Sequence, residues 1–192
     1  MSAERDQLGE LLRTNSIRTG DFVLASGRRS SYYVDGRRTT MSGRGQLLIG
    51  RLGLAALDER GWEPDAVGGL TLGADPVAYA IAHAAAAAER SLDAFTVRKE
   101  AKAHGAARQV EGPVEGGAAV VVVEDVVTTG ASALRAIEAV AAFGVSVLGV
   151  LCVVDREEGG REAIESAGHE LLALFGVSEL VRLPPLADAS RG

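Results

Sequence analysis

The feature that most constrains the fold of this chain is a series of uncharged, apolar segments separated by helical patterns. Residues 118–123 include four consecutive valines, and residues 145–154 contain no charged side chain. Strands of this kind are typical of parallel sheets, because helices cover both faces and leave neither face for water. The alternation of such strands with helices predicts the α/β class, with a mostly parallel central sheet flanked by helices.

The same patterns predict the order of the elements. Leucines at helical spacing indicate a first helix over residues 3–14. Two short strands, 22–24 and 32–35, are expected to form a small flap. The remaining predictions are helices at 42–60, 74–89, 131–143 and 160–167, strands at 66–70, 94–97, 118–123, 145–154 and 169–175, and a loop at 98–117.

We expect one domain over residues 1–192. It would comprise a hood at about residues 1–40, a core at about 41–180 and a mobile tail at about 184–192.

In an open parallel sheet, ligands bind at the carboxyl ends of the strands. This rule selects four segments of the sequence as the candidate site: residues 71–76, 98–104, 124–132 and 155–156.

The most informative of these segments follows the four valines. Glu124 and Asp125 come first, and Thr128, Thr129 and Ser132 then surround the predicted start of a helix. Free backbone N–H groups at a helix start, together with hydroxyls, suit a monophosphate. The two carboxylates would repel a phosphate, but they can accept hydrogen bonds from ribose hydroxyls or stabilise a developing cation. The segment is therefore interpreted as a clamp for a ribose 5-phosphate; the alternative is a capped helix with incidental acids.

Both lysines of the chain lie in one short segment. Of the 20 basic side chains only Lys99 and Lys102 are lysines, and the segment from Arg98 to Gly105 reads R-K-E-A-K-A-H-G. Lysine carries a compact, mobile charge that differs in use from the arginine fork. We interpret the segment as a loop that needs ammonium groups, the alternative being a solvated loop without a chemical role.

Composition excludes several functional classes. The formal charge of −6 argues against a general nucleic-acid or membrane-surface binder. The single cysteine, Cys152, excludes a disulfide framework. The N-terminal residues lack the apolar stretch of a signal peptide, and residues 77–88 are too few to span a bilayer. We expect a soluble, cytoplasmic protein with no nucleic-acid or membrane partner.

The segments identified above resemble those of a known family. Residues 119–132 are similar to the phosphoribosyl-diphosphate signature of the type I phosphoribosyltransferases. The R-K-x-x-K-x-H-G segment resembles the catalytic loop of the orotate phosphoribosyltransferases, and Ser26-Gly27-Arg28 followed by Tyr32-Tyr33 resembles their orotate flap. Val154-Asp155-Arg156 resembles the strand end whose arginine binds orotate. The resemblance runs from about residue 8 to residue 180 and implies the type I phosphoribosyltransferase fold.

The resemblance implies the transfer of a phosphoribosyl group from 5-phosphoribosyl 1-diphosphate to N1 of orotate, which yields orotidine 5′-monophosphate and diphosphate in UMP biosynthesis. It implies catalytic roles for Lys102, His104, Glu124 and Asp125, and Mg²⁺ held through the substrate, with Asp125 as its one candidate protein ligand. Binding of phosphoribosyl diphosphate is assigned to Arg98, Lys99, Lys102, His104, Glu124, Asp125, Val126, Val127, Thr128, Thr129, Gly130, Ala131 and Ser132. Binding of orotate is assigned to Thr128, Arg156, Tyr32 and Tyr33.

The chain departs from the commoner family pattern at two positions. Ala25 and Gly73 stand where many members have lysines, which removes positive charge from the region of the diphosphate. Two alternatives stay open: a related enzyme that acts on a purine or on uracil, and a regulator that binds phosphoribosyl diphosphate and reports it to RNA or DNA.

The resemblance also implies a homodimer whose active sites are shared across the interface. The predicted connection over residues 98–117 is longer than a compact domain normally needs, which favours a loop that reaches a partner.

Overall fold

The structure, a computed structural model, describes residues 2–23, 29–100 and 109–181 of the chain. The segments 24–28, 101–108 and 182–192 lie outside the described residues, and with them the predicted tail and the sequence Ser26-Gly27-Arg28.

The N-terminal part is a helix followed by a small antiparallel sheet. Helix α1 (Ser2–Leu11) ends in a π-helical turn at Leu12–Ser16, which leads into the two strands β1 (Ile17–Val23) and β2 (Arg29–Val34). The predicted flap strands are confirmed, but β1 begins five positions earlier than expected, where Ile17 pairs with Val34. After Ile17 the next four residues of the strand, 18–21, are exposed and none is apolar except a glycine, so pairing of the backbone with β2 defines this part of the strand.

Two further helices precede the central sheet. The short α2 (Arg37–Thr40) leads to the long α3 (Gly43–Arg60). The Ser42 hydroxyl caps α3 by accepting a hydrogen bond from the Gly45 N–H at 3.1 Å, and Gly61 ends the helix with a φ of 72°. These signals are local, which is why the predicted bounds of this helix are confirmed almost to the residue.

The central sheet has six strands in the order β5-β4-β3-β6-β7-β8. All neighbouring strands are parallel except β4 and β5, which pair antiparallel at one edge. The predicted α/β class with a mostly parallel sheet is confirmed. The strands are β3 (Ala66–Leu70), β4 (Asp93–Val97), β5 (Val110–Glu111), β6 (Ala119–Val127), β7 (Ser146–Asp155) and β8 (Leu171–Gly176).

Helices cover both faces of this sheet and enclose a core on each side. They are α4 (Ala74–Ala87), α5 (Ala131–Ala142), α6 (Gly160–Ser166) and, after the last strand, the short α7 (Val177–Leu180). On one face Leu48 and Ile81 pack in a cluster with Val121, and on the other Ala136 and Ile164 cluster with Val122. Neighbouring valines of β6 thus point to opposite cores, as the uninterrupted apolar run predicts.

Two predictions about the sheet need correction. Strand β6 continues to Val127, beyond the predicted end at residue 123, because it pairs with β7 as far as Val127 and Asp155. The predicted loop at 98–117 contains β5, which pairs with β4. The described ends of this segment are therefore held against the sheet and do not form one open loop. Arg98 N–H donates to Gln109 O at 2.8 Å, and Gln109 Nε2 donates to Arg98 O at 2.9 Å.

No helix among the described residues is both long enough and apolar enough to cross a membrane.

Candidate active site

The carboxyl ends of four neighbouring strands meet at one edge of the sheet. Leu70 of β3 pairs with Val97 of β4, and Val127 of β6 pairs with Asp155 of β7. The chain segments that leave these ends are the ones selected from the sequence. The structure therefore brings their described parts together, as the rule for parallel sheets predicts.

A small pocket lies between the end of β6 and the start of α5. Its volume is about 90 Å³, and its walls are Glu124, Val126, Val127, Thr128, Thr129, Gly130, Ala131, Ser132 and Ala133. Gly130 precedes α5 in the left-handed region, with a φ of 77° that favours glycine. The unpaired N–H groups at the start of this 12-residue helix and the neighbouring hydroxyls suit an anion of the size of a phosphate.

The pocket depends on a close approach between two loops. A Cβ added at Gly160, the first residue of α6, would lie 2.7 Å from Thr128 O and 3.0 Å from Gly130 N. A Cβ at Gly130 would in turn lie 2.9 Å from Gly160 O. Glycine at both positions lets the start of α6 support the Thr128–Gly130 turn from behind.

Glu124 is buried in the wall of this pocket. Its side chain is 4% exposed, and Oε1 has no hydrogen-bond partner among the described residues. Burial, and next the charge of Asp125, raise the pKa of Glu124 from 4.5 to about 8. The carboxyl group is therefore largely protonated at neutral pH in the free protein, which reduces repulsion of a phosphate in the same pocket.

Asp125 points to the other face of β6. Adjacent residues of a strand alternate between faces, so the two carboxylates do not lie side by side at a strand end as the sequence suggested. Cβ atoms added at Gly73 and Gly36 would lie 2.6 Å from Asp125 Oδ1 and 3.0 Å from Oδ2. Burial raises the pKa of Asp125, while the hydrogen bond from Val126 N–H and the charge of Arg37 counteract that rise.

The position of Asp125 explains in physical terms why residue 73 is a glycine and not the lysine of many family members. A side chain at residue 73 would force the Asp125 carboxylate to turn away, since the two would overlap. Asp125 fills the space that a lysine side chain at residue 73 would need, so glycine is the residue that fits there.

A second cavity lies beyond β3 and β4. Its volume is about 450 Å³, and its walls are Thr71, Thr96, Arg98, Lys99, Glu100 and Glu111. Arg98 Nη1 lies 3.8 Å from Glu111 Oε1, and Lys99 O accepts a hydrogen bond from Arg135 at 3.2 Å. Arg98 and Lys99 are thus placed at the strand end as predicted. Lys102 and His104 lie outside the described residues, and their roles stay predictions.

Asp75 lies in the selected segment 71–76, but the sequence analysis gave its side chain no role. It is 8% exposed and accepts hydrogen bonds from Thr71 Oγ1 at 2.7 Å and from Thr96 Oγ1 at 2.8 Å. It thereby ties the turn after β3 to the end of β4 beside the larger cavity. The signal in the sequence was Thr96, a hydroxyl residue inside the otherwise apolar part of the strand D-A-F-T-V, because a buried hydroxyl group needs a polar partner.

Arg156, the first residue after β7, meets the N-terminal sheet. Its guanidinium carbon lies 5.3 Å from the centre of the Tyr32 ring. Arg156 Nη2 donates to Glu158 Oε1 at 2.6 Å. Tyr33 does not join this group, since alternation along β2 turns it outward, where it is 41% exposed and its ring lies 5.9 Å from that of Phe22.

Comparison with known proteins identifies the family of the chain. Residues 46–167 match the model of the phosphoribosyl transferase domain. The chain is 49% identical over 181 residues to the orotate phosphoribosyltransferase of Aquifex aeolicus, covering 93% of this chain and 98% of the relative. It is 47% identical to that of Corynebacterium glutamicum over 92% of this chain and 93% of the relative.

This chain belongs to the orotate phosphoribosyltransferase family. Among solved structures, that of the Mycobacterium tuberculosis orotate phosphoribosyltransferase in complex with Fe(III) dicitrate matches with a TM-score of 0.82 at 49% identity, covering 92% of this chain and 98% of that one. The structure of the same enzyme with 5-phospho-alpha-D-ribosyl 1-diphosphate matches with a TM-score of 0.79 at 45% identity, with the same coverage. The expected type I phosphoribosyltransferase fold and the expected enzyme class are confirmed.

Proposed function

We propose that the strand-end site transfers the 5-phosphoribosyl group from 5-phosphoribosyl 1-diphosphate to N1 of orotate. The products are orotidine 5′-monophosphate, a precursor of UMP, and diphosphate. The observation that carries this proposal is the phosphate-sized pocket after β6, which lies one strand away from the Arg156 and Tyr32 pair in a chain of this family.

The pocket after β6 would bind the 5-phosphate of the sugar. Backbone N–H groups of residues 129–132 and the hydroxyls of Thr128, Thr129 and Ser132 supply donors, and the start of α5 favours negative charge. The other lining residues, Val126, Val127, Gly130 and Ala131, shape the turn. This placement would leave the ribose over β6, between Glu124 on one face and Asp125 on the other.

In the reaction N1 of orotate gives up its proton and its electron pair forms a bond to C1 of the ribose. The C1–O bond breaks, its electron pair leaves with diphosphate, and the diphosphate takes up a proton in turn. Positive charge develops on the sugar, and the Asp125 carboxylate would stabilise it. Glu124 would join it by ionising, since a cation close to its carboxyl group lowers the pKa of that group. Negative charge develops on the diphosphate in the larger cavity, beside Arg98 and Lys99. Lys102 and His104 are proposed to add positive charge there and to supply a proton to the leaving group.

Mg²⁺ fits the donor set of the site. Asp125 offers a half-buried carboxylate near the sugar position, and hard cations prefer such oxygen ligands. No cluster of three or more potential protein ligands is present in the described parts of the chain, so substrate oxygens would supply the other ligands. Bound with the substrate, Mg²⁺ would neutralise the charge of the diphosphate.

Orotate would bind between the core and the N-terminal sheet. The Arg156 guanidinium offers hydrogen-bond donors that suit the carboxylate or ring oxygens of orotate, and the Tyr32 ring offers a stacking surface. Thr128 lies at the end of the neighbouring strand and is proposed to contact the base. We retain Tyr32 and Arg156 as the principal orotate contacts and not Tyr33.

We also propose a homodimer with shared sites. An apolar groove of about 610 Å³ runs between α3 and α4, and its walls include Leu47 and Tyr79, which are 43% and 53% exposed. Covering these side chains with a second copy would remove apolar surface from water. Strand pairing and the hydrogen bonds between Arg98 and Gln109 hold the base of the 98–117 connection against the core, and the groove supports a dimer independently of the length of this connection.

A cytoplasmic location is proposed as well. Cys152 is the single cysteine of the sequence and is buried, so no disulfide within the chain calls for an oxidising compartment. Cell fractionation with a tagged chain would test the location.

The activity itself is tested by the ultraviolet absorbance of orotate. Adding the protein, phosphoribosyl diphosphate and Mg²⁺ should remove the absorbance of orotate and release diphosphate in equal amounts. Adenine, guanine and uracil, offered in place of orotate, should not react. Consumption of one of these bases without consumption of orotate would assign the chain a different base.

A further inference from the structure

We propose that Glu158 is a positioning residue for orotate recognition, which fastens the N-terminal sheet to the core by holding Arg156 and Tyr32 with one carboxylate. The inference rests on the proposed function, because it concerns how the two orotate contacts are set in place. Glu158 itself contacts the two residues and not the reacting atoms.

Both contacts use the same carboxylate oxygen. Glu158 Oε1 accepts a hydrogen bond from Arg156 Nη2 at 2.6 Å and another from the Tyr32 hydroxyl at 3.3 Å. Arg156 and Glu158 belong to the turn after β7, whereas Tyr32 belongs to β2 and is 126 positions away from Glu158. One carboxylate oxygen therefore connects a strand end of the central sheet to the separate two-stranded sheet.

Arg156 and Glu158 are both buried, so water cannot easily replace the hydrogen bond between them. The side chains of Arg156 and Glu158 are 8% and 12% exposed, so neither charge has much access to water. Arg156 Nε has no hydrogen-bond partner among the described residues, so the guanidinium depends on its other nitrogens. Removing the Glu158 acceptor oxygen would leave a further N–H group of this buried guanidinium without a partner, and the group would move towards water and out of its position.

Replacing Glu158 should weaken the binding of orotate and not that of phosphoribosyl diphosphate. Arg156 and Tyr32 border the proposed orotate site, whereas phosphoribosyl diphosphate would lie over β6 and the cavity beyond β3 and β4. Loss of the shared acceptor frees both the guanidinium and the tyrosine hydroxyl. Orotate must then pay the cost of ordering them, which weakens its binding and leaves the binding of the other substrate unchanged.

The first experiment compares Glu158→Ala, Glu158→Gln and Glu162→Ala with the wild type. We expect Glu158→Ala to raise the KM for orotate roughly fivefold to tenfold, the size of effect that one ordinary hydrogen bond has, with the KM for phosphoribosyl diphosphate within about twofold. Glu158→Gln keeps an oxygen that can accept from both partners and should recover most of the affinity. Glu162 is exposed on α6, so its replacement should change nothing. Melting temperatures of all variants establish that they are folded.

A second experiment tests the link between Glu158 and Tyr32. Tyr32→Phe removes the hydroxyl and keeps the ring, and it should raise the KM for orotate by a smaller factor, about twofold to threefold. In the Glu158→Ala background the same change should add nothing, because the acceptor is already absent.

Several outcomes would overturn the proposal. They are an unchanged KM for orotate in Glu158→Ala, equal rises in both KM values, a Glu158→Gln variant as impaired as Glu158→Ala, and independent effects of Tyr32→Phe and Glu158→Ala. If instead the wild type and Glu162→Ala fail to consume orotate at all, the proposed function fails, which is a separate result.

Discussion

At the scale of single residues, the buried carboxyl group of Glu124 lowers the stability of the free protein when it ionises, and the same group is proposed to act on the sugar in the reaction. Burial raises the pKa of its carboxyl group to about 8, and Oε1 has no hydrogen-bond partner among the described residues. A carboxyl group that binds ribose hydroxyls or a developing cation gains its partners only when substrate is present. The free protein therefore holds a carboxyl whose ionisation destabilises the fold.

The pKa of Glu124 predicts a specific dependence of stability on pH. Its pKa is about 8 in the folded state and near 4.5 in the unfolded chain. Between these values the folded state binds more protons than the unfolded state, so the free energy of unfolding falls as the pH rises. Glu124→Gln removes this contribution and should be the more stable form at pH 8, by on the order of a few kcal/mol at most, while its kcat falls at least tenfold.

Urea unfolding of both forms at pH 5, 7 and 9 measures this difference. The stability advantage of Glu124→Gln should grow from pH 5 to pH 9. Parallel stability curves for the two forms would show that Glu124 is not protonated in the folded protein at neutral pH.

At the scale of elements, the phosphate pocket is a joint product of two helix starts. The turn that precedes α5 is held from behind by the start of α6, where Gly160 leaves room for Thr128 O and Gly130 N. The pocket is thus a property of the packed pair of helices, although all its donors lie in one sequence segment.

Gly160→Ala should disturb this packing. A methyl group 2.7 Å from a backbone oxygen cannot be accommodated by a side-chain rotation, so the turn must shift. We expect a loss of about 1–3 kcal/mol in stability and a raised KM for phosphoribosyl diphosphate. Gly116→Ala is the control, since a Cβ at Gly116 would make only an ordinary contact, at 3.7 Å from Phe143 O. Equal KM values for both variants, measured by the orotate absorbance assay, would contradict the role of Gly160.

At the scale of the whole molecule, the proposed dimer predicts that two inactive variants restore one another. Lys102→Ala carries its lesion in the catalytic loop, and Asp125→Asn carries its lesion at the sugar. If the loop of one subunit serves the site of the other, a mixed dimer has one site with both parts intact. Random exchange makes half of the dimers mixed, so about a quarter of the wild-type activity should return.

The exchange itself needs an independent control. Subunits that carry different affinity tags should be recovered together after mixing. Recovery of mixed dimers without any return of activity would show that each loop serves its own subunit. Melting temperatures of the two variants should stay near that of the wild type.

The sequence by itself determined the class of the fold and most of its strands and helices, and it selected segments whose described parts meet at one edge of the sheet. These depend on patterns within a few residues: the valine run before Glu124, the cap at Ser42, the glycine at Gly61 and the turn at Thr128–Gly130. Local sterics and hydrophobic periodicity act over the same short range, so they can be read from the chain.

What only the tertiary structure decided is which distant segments meet. The continuation of β6 to Val127 depends on pairing with β7, and that continuation places Glu124 and Asp125 on opposite faces. The bond from Thr96 to Asp75 and the bond from Tyr32 to Glu158 join elements that no local pattern connects. A hydrogen-bond partner is selected by proximity in the folded chain, and burial of the pair then gives the contact its energy.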